Sequence, residues 1–124
     1  MTKKILIAED EEDIIELLSA ILADSGDYEI LYARDGEEAL RIAGVDNPDI
    51  ILLDVQLPKL NGYEVCKSVK SGSAMPHTKV LVMSGIVQNY DLLKAQEAGA
   101  DGYITKPFSP TTLVEKVEAL LESD

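Results

Sequence analysis

The chain reads as a single α/β domain, a doubly wound sheet of five parallel strands with helices on both faces. Two observations predict this. Five short runs rich in Ile, Leu and Val alternate with five stretches whose apolar residues recur at helical spacing, as in successive βα units joined by right-handed crossovers. The most apolar run, Ile50-Ile51-Leu52-Leu53, shows no polar alternation, as expected of a strand buried on both faces. The 124 residues suffice for one core and not for two, so residues 1–124 are taken as one domain. No repeat, linker or low-complexity segment interrupts them.

Lys4-Ile5-Leu6-Ile7-Ala8 is the first strand. It runs into five consecutive acids, Glu9 to Asp13. Glu11, Glu12 and Asp13 suit the first turn of a helix, where the macrodipole favours negative charge. Ile14, Leu17, Leu18, Ile21 and Leu22 mark that helix, and Gly26 lies just past its end. Tyr28–Ala33 is the second strand. Asp35 and Glu38 form a capping box for the second helix, which carries Ala39, Leu40 and Ala43 and ends at Asn47-Pro48.

The third strand ends on Asp54, and Pro58, which has no N–H to give a ladder, closes the segment. Asn61-Gly62 opens the third helix, with Val65 and Val69 inward. Ser71-Gly72-Ser73 and Pro76 make a loop. Lys79–Ser84 is the fourth strand. Asn89 caps the fourth helix, which runs through Leu92, Leu93 and Ala95 to Ala98-Gly99. Asp101–Thr105 is a short fifth strand leading into Lys106-Pro107-Phe108. Ser109 as N-cap with Pro110 at the first helical position starts the last helix, whose stripe is Leu113, Val117, Leu120 and Leu121.

A formal net charge of −12 repels nucleic-acid backbone and anionic lipid, which argues against direct nucleic-acid binding and against a membrane surface. No apolar run approaches a membrane span, and Lys3–Ile7 is too short for a signal peptide. The single cysteine, Cys66, offers no disulfide and suits a reducing, cytoplasmic setting. It is expected to pack on a helix face. His77 is expected at the surface.

The strand ends carry the chemistry. Glu9 and Asp10 follow the first strand, Asp54 ends the third, Ser84 the fourth, and Lys106 follows the fifth. In an open α/β sheet these ends converge on one crevice. Macrodipole favourability does not account for Glu9 and Asp10 at a strand tip, where clustered carboxylates need a cation. Mg²⁺ takes such oxygen ligands. A lysine and a hydroxyl complete an inventory suited to phosphoryl transfer, where positioning and charge stabilisation dominate.

Along essentially its whole length the chain resembles the receiver domain of two-component response regulators. The residues that carry the resemblance are Glu9-Asp10, Asp54 with Leu57-Pro58 and Gly62, Ser84, Ala98-Gly99-Ala100-Asp101-Gly102-Tyr103 and Lys106-Pro107-Phe108. The resemblance implies a flavodoxin-like (βα)5 fold with strand order 2-1-3-4-5. It implies that Asp54 accepts a phosphoryl group from a phosphohistidine on a histidine kinase or phosphotransfer protein. Asp10, Asp54 and the main-chain carbonyl of Gln56 would bind Mg²⁺ (or Mn²⁺), with Glu9 assisting through water. Lys106 would pair with a phosphoryl oxygen, Ser84 would donate to it, and Tyr103 would swing inward as an aromatic switch. A cis peptide before Pro107 is also implied.

Such a domain is a self-phosphorylating and autodephosphorylating switch rather than a turnover enzyme. It signals through the helix 4–strand 5–helix 5 face to an effector protein or a fused output domain, as a monomer or a phosphorylation-dependent dimer. Three residues depart from the common pattern: Glu9 in place of Asp, Gly85 in place of Ala, and the polar Gln56. The last two are expected to affect phosphoryl lifetime.

Three other functions fit the same residues less well. An aspartyl-phosphate phosphatase of the haloacid dehalogenase type wants a second acid two residues after the nucleophile, where Gln56 stands. A flavodoxin-type cofactor carrier needs a phosphate-binding loop after the first strand, where five acids stand instead. A receiver kept as an unphosphorylated interaction module would not need all the chemical residues present here.

Overall fold

The computed structural model describes residues 2–71, 77–85 and 89–122, without the side chains of residues 89–92. In chain order the elements are β1 (Lys3–Ala8), α1 (Glu12–Ser25), β2 (Tyr28–Ala33), α2 (Gly36–Asp46), β3 (Ile50–Asp54), α3 (Gly62–Ser71), β4 (Lys79–Ser84), α4 (Asn89–Glu97), β5 (Gly102–Thr105) and α5 (Pro110–Glu122). The strands pair in parallel in the order β2-β1-β3-β4-β5, as expected.

The alternation of side chains along the central strands divides the core into two layers. Leu6, Ala8, Ile51, Leu53, Val80 and Val82 pack with Ala39 and Ala43 of α2, Val65, Cys66 and Val69 of α3, and Ala95 of α4. Ile5, Ile7, Ile50, Leu52, Leu81 and Met83 pack with Leu18 and Leu22 of α1 and Leu113 and Val117 of α5. All five residues of β3 are buried, which explains its unbroken apolar run.

The helix ends follow local chemistry. Asp35 accepts the Glu38 N–H at 2.8 Å, while Glu38 accepts the Arg34 N–H at 2.9 Å, so the capping box reaches back one residue further than expected. Asn47 closes α2 in the left-handed region (φ 48°). Asn61 accepts the Glu64 N–H at 3.0 Å and Ser109 the Thr112 N–H at 3.1 Å.

Some expectations need correction. In α1 the buried stripe is Ile15, Leu18 and Leu22, whereas Leu17 is 46% exposed. At 3.6 residues per turn Leu17 lies about 100° away from Leu18, at the edge of the stripe. Leu93 is likewise exposed, since it lies about 200° from the buried Ala95. Gly26 ends α1 in extended backbone (φ 179°) rather than in a left-handed cap. Asp101 precedes β5: its carboxylate, in place of a ladder carbonyl, accepts the Val80 N–H (2.8 Å) and Lys70 (2.9 Å), while its own N–H donates to the Val80 carbonyl (2.9 Å). Ser71, expected in the loop, is the last residue of α3, and Gly72, Ser73, Pro76 and the side chains of Asn89 and Leu92 lie outside the described residues.

Candidate functional site

Register places the strand ends on one line. Ala8 pairs with Leu53, so Glu9 follows at the level of Asp54; Asp54 pairs with Met83, and Ser84 pairs with Thr105 just before Lys106. The backbone continues that alignment, with the Lys106 N–H donating to the Ser84 carbonyl at 2.6 Å and the Val55 N–H to the Met83 carbonyl at 3.1 Å.

Glu9 is fully buried and Asp54 is 5% exposed, while Asp10 faces solvent. One carboxylate oxygen from each lies within 4.8 Å of the others. The Lys106 ammonium stands 2.9 Å from Glu9 Oε1 and 3.4 Å from Asp54 Oδ2. Glu9 Oε2 accepts the N–H groups of Asp10 (3.1 Å) and Glu11 (3.2 Å), and Asp54 Oδ1 accepts the Gln56 N–H (3.2 Å). The peptide bond between Lys106 and Pro107 is cis, as the resemblance implied.

The electrostatics follow from this crowding. Burial raises the Glu9 carboxyl from 4.5 to about 7, and the Asp54 charge adds to the rise, while the Lys106 hydrogen bond works against it. Burial alone would lower the Lys106 ammonium. The Glu9 hydrogen bond and the charges of Asp54 and Glu9 more than offset it, so Lys106 is raised and stays charged. The donor set of three carboxylates, two of them buried, fits a small hard divalent cation.

Ser84 is 4% exposed at the end of β4. Tyr103 is half-buried, pairs with Val82 and packs on the layer of α2, α3 and α4. The Gln56 side chain is exposed, and its main chain is what faces Asp54. Gly85 is exposed, and a Cβ there would meet nothing within 4 Å. Cys66 is buried, donates to the Ala98 carbonyl at 3.5 Å, and its thiol is pushed up to about 12 by burial, consistent with a packing role. His77 is exposed, as expected.

Sequence reasoning missed one relation. It assigned Glu9 to the cation and Lys106 to a phosphoryl oxygen, whereas Lys106 here sits closer to Glu9 than to Asp54. The extra methylene of Glu9 was the available signal. It lets one carboxylate span from the Asp10 and Glu11 N–H groups to the lysine.

The family model of the response regulator receiver domain matches residues 5–118. The alkaline phosphatase synthesis transcriptional regulatory protein PhoP of Bacillus subtilis (strain 168) is 46% identical over 121 residues, covering 98% of this chain and 49% of PhoP. The chain thus spans about half the length of the curated relatives it matches. Among solved structures, a putative response regulator from Chloroflexus aurantiacus J-10-fl is similar with a TM-score of 0.93 and 32% identity, over 99% of this chain and 100% of that one. The receiver domain of the sensor histidine kinase PA1611 from Pseudomonas aeruginosa PAO1 has a magnesium ion coordinated in its active-site cleft. It is similar with a TM-score of 0.90 and 25% identity, over 99% of this chain and 100% of that one.

Proposed function

The chain belongs to the response regulator receiver domain family of two-component signal transduction, and from that premise we propose that Asp54 is its phosphoacceptor. One observation supports the assignment: of the two buried carboxylates beside Lys106, Glu9 is fully enclosed with both oxygens engaged, whereas Asp54, at the end of β3, keeps some exposure within the same cluster and stands 3.4 Å from the ammonium. A carboxylate oxygen of Asp54 attacks the phosphorus of a phosphohistidine on a partner kinase or phosphotransfer protein. The new O–P bond forms as the N–P bond breaks, and the electron pair returns to the imidazole nitrogen, which takes a proton.

Asp10, Asp54 and the Gln56 carbonyl would hold Mg²⁺ (or Mn²⁺), with Glu9 acting through water. The ion, when bound, supplies positive charge to the transferring phosphoryl group. Lys106 supplies a second, covalently tethered positive charge. Converting Asp54 to an acyl phosphate removes its carboxylate charge and places new charge on the phosphoryl oxygens, so Lys106 transfers its attraction there. Ser84 donates its hydroxyl to a phosphoryl oxygen, and Tyr103 follows inward.

Only contacts that differ between the two states shift their populations. The Lys106 and Ser84 contacts are those, and the surface of α4, β5 and α5 is the readout. With residues 1–124 as one receiver unit, the output is a partner effector or a fused domain, engaged as a monomer or a phosphorylation-dependent dimer. The domain works in the cytoplasm as a switch rather than as a turnover enzyme.

The test is intact mass after incubation with acetyl phosphate, with and without Mg²⁺, for the natural chain and Asp54→Asn. A Mg²⁺-dependent gain of one phosphoryl group, absent from the variant, is expected. An Asp54→Asn chain that takes up as much phosphoryl as the natural one would refute the assignment. Absence of any gain, together with no Mg²⁺ binding, would favour an unphosphorylated interaction module.

A further inference from the structure

We propose that the N-terminus of α2 is the template that holds the acceptor loop, residues 55–61, in its working shape, with Gly36 as a positioning residue for cation binding and phosphoryl acceptance. The proposal rests on Asp54 being the acceptor.

The loop is closed on itself at its root. The Gly62 N–H donates to the Val55 carbonyl at 2.9 Å, the Leu60 N–H to the Pro58 carbonyl at 2.8 Å, and a Cβ on Gly62 would overlap the Asp54 carbonyl oxygen. Its outer side lies against α2. The N–H of Gly36, the first residue of that helix, has no acceptor within the helix. It donates instead to the Pro58 carbonyl at 3.1 Å.

Gly36 is buried, and a Cβ there would overlap the carbonyl oxygen of Leu60. Only glycine lets the two backbones approach this closely. Lys59, held in the left-handed region (φ 70°), places its ammonium 3.7 Å from Asp35 and 3.9 Å from Glu37, the residues on either side of Gly36. Asp35 at the same time caps α2 through the Glu38 N–H. The loop so held carries Gln56, whose N–H reaches Asp54 Oδ1. A displacement of Pro58 or Leu60 is therefore passed through a few stiff bonds to the acceptor carboxylate.

Gly44 supplies an internal control: it lies in the same helix, and a Cβ there would meet nothing within 4 Å. Gly44→Ala also raises helix propensity, which gives the double variant a folding reserve against the cost of Gly36→Ala. Mg²⁺ dissociation constants would be measured by NMR amide titration on Gly36→Ala, Gly44→Ala and the double variant, each checked for a native circular dichroism spectrum. Amide exchange at Gly36 would be followed in the natural chain with and without Mg²⁺.

By analogy with residues that orient metal ligands from behind, Mg²⁺ affinity should fall about tenfold in both chains carrying Gly36→Ala. It should be unchanged in Gly44→Ala, and Mg²⁺ should slow Gly36 exchange in the natural chain. A natively folded Gly36→Ala or double variant that binds Mg²⁺ like the natural chain would overturn the proposal. So would an equal loss in Gly44→Ala. If neither Gly36 variant folds, unaltered Gly36 exchange on adding Mg²⁺ overturns it. A natural chain that binds no Mg²⁺ removes the Asp54 assignment, and this proposal with it.

Discussion

Glu9 makes the stability of the cation-free domain depend on pH in a direction opposite to that of an ordinary salt-bridged acid. Its carboxyl is raised from 4.5 to about 7, chiefly by burial. The folded chain therefore holds this proton more tightly than the unfolded one. The resulting stability is fully present below pH 4.5 and is lost as pH rises through about 7. At about 1.36 kcal/mol per pH unit, the loss is about 3 kcal/mol, or roughly 10 °C in melting temperature for a domain of this size.

The other acids also respond to pH, so the comparison is with Glu9→Gln, an isostere of the protonated side chain. Lys106, raised and charged throughout, does not titrate in this window. Urea unfolding in EDTA at intervals between about pH 4.5 and 8 should show the natural chain losing about 3 kcal/mol relative to Glu9→Gln. Saturating Mg²⁺ should flatten the difference, because a cation beside Glu9 offsets the burial penalty on its charged form. Parallel profiles for the two chains in EDTA would refute the reasoning.

The glycines near Asp54 give the remaining predictions. Gly62→Ala places a Cβ against the Asp54 carbonyl oxygen and the Val55 Cα, and should cost about 1–3 kcal/mol in urea unfolding, as overpacking does; an unchanged midpoint would contradict the close approach. Gly85→Ala adds a methyl group in open space, so stability should stay within about 0.5 kcal/mol. The methyl should shield the neighbouring Ser84 region from water and lengthen the acyl phosphate's half-life; identical dephosphorylation rates in the two chains would dismiss that role.

The central strands were legible because they are buried on both faces. With no polar alternation to read, Ile50–Leu53 and Val80–Met83 still stood out as continuous apolar runs of strand length. The site was legible for a related reason: a parallel sheet brings strand ends together, so residues far apart in sequence could be gathered by topology alone. The helical stripes were less so. Leu17 is apolar and beside the stripe, yet exposed, because phase alone does not say how wide the buried stripe is, and Leu93 is exposed because it lies on the face opposite Ala95. The partner of Lys106 was hidden too, since a choice between two carboxylates 2.9 and 3.4 Å away depends on side-chain length and on N–H groups that sequence does not display. The docking of the acceptor loop on α2 was invisible for the same reason: it is made by main chain at Gly36 and Pro58.

The sheet is unequal in how firmly it grips its strands. β3, which ends in Asp54, is clamped by ladders on both sides, whereas β5 is four residues long and, among the described residues, pairs with β4 alone. Sliding or tilting β5 strains one ladder; moving β3 would tear two. The residues placed on or just after that margin are Tyr103 and Lys106. On the function proposed above, the phosphoacceptor is thus bolted to the stiffest part of the sheet while the residues that would relay its state hang from a more yielding edge, so an event at Asp54 would be transmitted outward without loosening the platform on which it occurs.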